Sequence, residues 1–224
     1  MFAGHVGAAL AIGRAERRIN VGIFVCAGLL LDIVLWILVL LGWETVTIPA
    51  DFARTHQAAF DFPYSHGLLS AIAWSALFGA LVAIAGTALR EARMRVALLV
   101  AAAVFSHWVL DAAVHVPELP LAGAGSPKVG LALWQHLPVG LALEAAVVGL
   151  GLWLFLRDTV LTRARRIAVR VLCLLLLAFT IAGMTIAPAP PSPIAMAGSS
   201  LVTVLVVCAL FGWLGMARSR SRAD

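Results

Sequence analysis

The feature that most constrains this chain is a series of apolar runs, each near twenty residues, separated by short segments in which the basic residues collect. A run of ~20 apolar residues makes a helix about 30 Å long, which is the thickness of the bilayer hydrocarbon. In lipid every backbone N–H and C=O must find a partner, and a lone run can provide that only as a helix. The runs fall at about 19–42, 65–86, 96–116, 131–156, 168–187 and 198–216. Residues 1–13 are apolar too, but span only about 20 Å as a helix. Their positive charge, Arg14, Arg17 and Arg18, follows the apolar stretch, whereas a signal peptide carries it in front. The expected fold is all-α: a multi-pass transmembrane helical bundle with six full spans plus a short buried N-terminal helix. At 62% hydrophobic and 12% charged residues, a soluble domain of this length is excluded.

Charge gives the expected topology. Of the 16 Lys and Arg residues, 14 lie in segments 14–18, 90–95, 157–170 and 218–222, and only Arg54 and Lys128 lie in the alternate loops. The positive-inside rule puts those four segments in the cytoplasm, with the N-terminal flank and the C-terminus. The net charge of +5 then reports orientation, and no nucleic-acid partner is expected. Cys26, Cys173 and Cys208 sit inside apolar runs and read as small core residues. Residues 1–160, the short helix plus four spans, are expected to form one membrane domain. Residues 161–224 form a two-span hairpin with a basic tail; no ionisable residue separates Arg170 from Arg218, so these spans read as packing or oligomer elements.

The third run ends in Ser106-His107-Trp108-Val109-Leu110-Asp111-Ala112-Ala113-Val114-His115-Val116-Pro117. Residues four apart drift only about 40° around a helix, so His107, Asp111 and His115 share one stripe. An aspartate at mid-depth costs roughly 3 kcal/mol on insertion scales, so three such groups call for a metal or a buried polar network. Counting about 1.5 Å of rise per residue from each basic flank, Asp32 stands about 21 Å up, His107 about 18 Å, Asp111 about 24 Å and Glu144 about 20 Å. His66 and His115 enter from the outer side, and His5 lies on the short first helix. His136 opens the fourth run, and His56 reads as a solvated loop residue.

His5 after Gly4, Asp32 in Leu-Leu-Leu-Asp-Ile, Ser65-His66 in Asp-Phe-Pro-Tyr-Ser-His-Gly, and Ser106-His107-Trp-Val-Leu-Asp111 resemble the bacterial inner-membrane family called membrane-bound metal-dependent hydrolases. Lys128-Val-Gly-Leu-Ala-Leu-Trp134 is similar to a further motif of one subgroup. The likeness covers about residues 1–157 and extends distantly to soluble zinc-dependent phospholipase C. It implies a bacterial cytoplasmic (inner) membrane location and His5, Asp32, His66, His107 and Asp111 as ligands of a divalent metal, zinc or manganese, with Asp111 able to bridge two ions. The chain departs from the soluble enzymes later. His136 and Glu144 stand eight apart where those enzymes place His and Glu one turn apart, and Phe62-Pro63-Tyr64 replaces a His-Arg start.

The expected function is a membrane-embedded metal-dependent hydrolase. Asp111 or Glu144 would accept a proton and His115 would assist the leaving group. Its partners are membrane lipid and a lipid-linked or amphipathic substrate, such as a phosphoester, near the outer half of the bilayer. Two other readings fit the same residues: a proton or metal-ion transporter, and a non-catalytic membrane protein held together by a His/Asp cluster.

Overall fold

The computed structural model describes residues 1–85, 92–157, 159 and 161–215. The basic residue Arg90 of the 90–95 segment and the tail Arg218, Arg220 and Arg222 lie outside the described residues, as does the C-terminus. The described residues are all-α apart from two short β-hairpins in the loops. In order it forms α1 (Phe2–Gly13), α2 (Val21–Gly28), α3 (Leu30–Leu40), β1 (Thr45–Thr47), α4 (Phe52–Thr55), β2 (Ala59–Asp61), α5 (Leu68–Ala85), α6 (Arg93–Val114), β3 (Leu119–Pro120), β4 (Lys128–Val129), α7 (Leu137–Arg157), α8 (Arg163–Thr185) and α9 (Pro193–Gly215).

Among the described residues five helices, α5 to α9, are long and apolar enough to cross a membrane. The helices α2 and α3 pass the same test only as a pair, bent by 49° where they meet, and they make a sixth span if the pair is counted as one. The run 19–42 was expected to be one helix. Gly28, a weak helix former, ends its first half. The Gly28 backbone also approaches α1 closely, since a Cβ there would stand 3.0 Å from Ala9 Cβ and 3.2 Å from His5 O. Large apolar side chains such as Leu81, Leu98, Leu150, Trp153, Leu174 and Trp213 point outward, as a lipid-facing bundle requires.

The short first helix is buried in the bundle, as expected. It runs through its middle, packed on α2, α6, α7 and α8, with Ala3, His5, Val6, Ala9 and Leu10 buried. Small residues permit this. A Cβ on Gly7 would meet Val147 O at 2.6 Å, so α1 and α7 touch through their backbones. The last two helices pack chiefly on the rest of the bundle, α8 on α1 and α7, α9 on α2 and α3.

The loops before α5 and before α7 each carry a short hairpin. Strands β1 and β2 pair antiparallel, with Val46 opposite Phe60. The 128–135 segment folds back on the end of α6: Leu131 N–H donates to Ala112 O and Ala132 N–H to His115 O, each at 2.8 Å. These bonds satisfy carbonyls that a helix end leaves unpaired. Gly130 lies at this contact, where a Cβ would strike the His115 and Val116 carbonyls. The Lys128–Trp134 motif thus closes α6 and delays α7 until Leu137, six residues after the expected start of that span. His136 stays exposed ahead of α7.

Candidate metal centre

His107 and Asp111 lie on the buried face of α6, one turn apart. His107 Nε2 is 3.1 Å from Asp111 Oδ2. His66, in the turn before α5, brings its own Nε2 to 3.1 Å from His107 Nε2 and 3.4 Å from Asp111 Oδ2. The three donor atoms form a nearly equilateral triangle. Ligands about 2.0–2.2 Å from one tetrahedral ion stand roughly 3–4 Å from each other, which matches these edges. Asp32 Oδ1, on α3, adds a fourth corner at 3.9 Å from His66 Nε2 and 3.7 Å from His107 Nε2. The other Asp111 oxygen, Oδ1, faces His5 Nε2 at 3.1 Å and accepts from the Met1 nitrogen at 3.0 Å. The His5 ring stacks on His107 with centroids 3.6 Å apart.

Outer partners fix which ring nitrogens carry hydrogen. His107 Nδ1 lies 2.7 Å from the Gly28 carbonyl, which can only accept, so Nδ1 holds the proton. That carbonyl is available because the span breaks there: the first hydrogen bond of α3 is accepted by Leu29, from Ile33 N–H. His66 Nδ1 lies 2.8 Å from Ser65 Oγ. The Ser65 hydroxyl donates its one hydrogen to Glu44 Oε2 at 2.7 Å, while Glu44 Oε1 accepts the Tyr64 and Ser65 N–H groups at 2.8 Å. His66 Nδ1 is therefore also a donor. In both neutral rings the bare Nε2 lone pair faces the carboxylates and the other ring. Lone pairs that converge in this way repel unless a cation or an added proton lies among them. Outer groups that lock the tautomer of a ligating histidine are the usual support of a metal site.

No family model, curated protein or solved structure matches the chain. The buried His and Asp side chains therefore carry the reading on their own. Two overlapping groups can each hold an ion, His5–Asp32–His107 and His66–His107–Asp111. Two imidazoles and a carboxylate are a donor set suited to zinc, manganese or iron.

His5, Asp32, His66, His107 and Asp111 thus come together. His115 stands at the edge. It ends α6 in extended backbone, and its Nε2 is 3.9 Å from Asp111 Oδ1. Glu144 is turned elsewhere: its Oε1 accepts the Ala3 N–H at 2.8 Å and so caps the start of α1. His56 is half-buried, in the loop after α4 and in the wall of an adjoining cavity. Sequence reading missed Glu44 and Glu118. Glu118 Oε1 is 2.6 Å from His115 Nδ1, and its Oε2 accepts the Phe60 N–H at 3.1 Å. The spacing of His115 and Glu118, three residues apart, was a usable signal. Glu44 gave none, because its partner lies twenty-one residues away across a loop.

Proposed function

We propose that this chain is a metal-dependent hydrolase embedded in a membrane, related to the inner-membrane family its motifs resemble and acting on a phosphoester. The observation that carries the reading is the triangle of His66 Nε2, His107 Nε2 and Asp111 Oδ2, with lone pairs turned inward by Ser65 and by the Gly28 carbonyl. A divalent ion held by these groups supplies Lewis acidity, which makes water a nucleophile near neutral pH. Asp32, with 19% of its side chain exposed, is the ligand that meets the adjoining cavity. His115 lines the same cavity, and Glu118 holds its Nδ1–H, so Nε2 is the atom that takes or gives a proton. In hydrolysis a water oxygen bonds to phosphorus as the ester P–O bond breaks. One water proton goes to a base, and the leaving oxygen takes a proton from an acid.

The test is the metal content of wild-type protein purified without chelators, followed by hydrolysis of a panel of lipid and soluble phosphoesters. Activity is expected to vanish on chelation and return with zinc or manganese. His115→Ala is expected to slow turnover by about 10²–10⁴-fold while bound metal stays unchanged. Full activity in that variant removes His115 from the chemistry. One observation favours a second reading, an ion path: the span break lies four residues from Asp32. Transporter folds pair such breaks between halves, and one broken span is found among the described residues. Proton or zinc flux into liposomes without substrate would favour that reading.

The basic flanks support a cytoplasmic N-terminal flank and C-terminus. A reporter fused after Asp224 is expected to be active only if it is a cytoplasmic type. Activity of a periplasmic type there would invert the bundle and put the metal centre nearer the inner face.

A further inference from the structure

A cavity of about 710 Å³ adjoins the metal cluster and has two kinds of wall. Asp32, His115 and Glu118 are in its lining. So are Phe179, Thr180 and Met184 of α8, and Met196 and Val204 of α9. The volume falls in the range of small-molecule sites, roughly 300–1,000 Å³. Neither α9 nor α8 beyond Arg170 carries a charged residue. The lining therefore joins ionic groups to the hydrocarbon and hydroxyls of α8 and α9, and the ligand that matches both is amphipathic.

We infer that the cavity seats one lipid phosphoester, its phosphate beside Asp32 and the metal cluster and its hydrocarbon between α8 and α9. The phosphate end rests on the metal reading above, because Asp32 and Asp111 repel an anion with no cation between them. The hydrocarbon end rests on α8 and α9 alone. It makes these two helices the element that recognises substrate.

The test uses the full chain, loaded with zinc, in phosphatidylcholine vesicles that carry phosphatidic acid with a photoreactive diazirine in its acyl chain. Cross-links are mapped by mass spectrometry, and zinc is measured on the same samples. Gly183 lines the cavity and a Cβ there meets nothing within 4 Å, so Gly183→Phe fills the space without a backbone clash. Gly149 is equally open but lies outside the cavity, so Gly149→Phe is the control. Labelling is expected around Phe179, Met184 and Met196, and Gly183→Phe should lower it by about tenfold or more. Zinc content and the Gly149→Phe protein should match wild type. Loss of label in Gly183→Phe from a protein that binds no zinc would support the hydrocarbon seat and overturn the metal reading alone. Equal labelling in Gly183→Phe and wild type, or labelling confined to outward residues such as Leu205 and Trp213, would overturn the inference and leave the metal reading standing. So would competition by glycerol phosphate as strong as that by short-chain phosphatidic acid, because a site for free phosphoesters gains nothing from a tail.

Discussion

Asp111→Asn is expected to remove most of the bound metal while the bundle still folds. Asp111 sits at the centre of the cluster: Oδ2 closes the triangle with His66 and His107, and Oδ1 faces His5. Asparagine keeps the size of the side chain and removes the charge that balances a cation. Its NH₂ group would also turn hydrogens toward one set of imidazole nitrogens. His107→Ala removes a nitrogen that belongs to both candidate ligand groups. Altering an outer partner of a metal ligand costs about 10–100-fold in affinity, so losing a shared ligand should exceed about 100-fold. The measurement is zinc and manganese per mole of purified protein by mass spectrometry. If wild-type protein proves metal-free after metal-replete purification, the cluster is a buried ion network instead. Asp111→Asn would then act on stability, by about 3–5 kcal/mol for a stranded partner.

The legible parts of this fold and site were those set by spacing along one helix. Apolar runs of bilayer length gave α5 to α9, and the i, i+4 pair His107 and Asp111 meets as helix geometry demands. What depends on contacts across helices was not legible. Counting rise placed Glu144 level with His107, but rise fixes height and not direction, and Glu144 faces the start of α1. The break after Gly28 was hidden because glycine is common in unbroken membrane helices. It matters to the site, since it frees the carbonyl that orients His107. Ser65 and His66 were visible as a motif, but the role of Ser65 needed Glu44, which the loop after α3 brings back to it. The last two helices read as packing elements because they lack charge. That same lack of charge gives the cavity its hydrocarbon wall.

The position of α1 makes a second large effect testable. The helix reaches the middle of the bundle only because its backbone lies against that of α7. A Cβ on Gly7 would meet Val148 Cα at 2.7 Å, and one on Gly151 would strike the Gly7 carbonyl. Both obstacles are backbone, so neither can swing aside as a side chain would. Gly151→Val is therefore expected to push α1 off α7. Overpacking of this kind costs about 1–3 kcal/mol and more where the backbone cannot move. Displacing α1 also breaks the Ala3–Glu144 hydrogen bond and withdraws His5 from Asp111. The variant should melt at a lower temperature in detergent and lose metal in parallel, although residue 151 touches no ligand of the cluster. Gly149→Val, on the same helix with open space around it, should leave both unchanged. Wild-type melting and metal content in Gly151→Val would mean that the close approach of α1 and α7 does not support the site, and that His5 holds its place by other contacts.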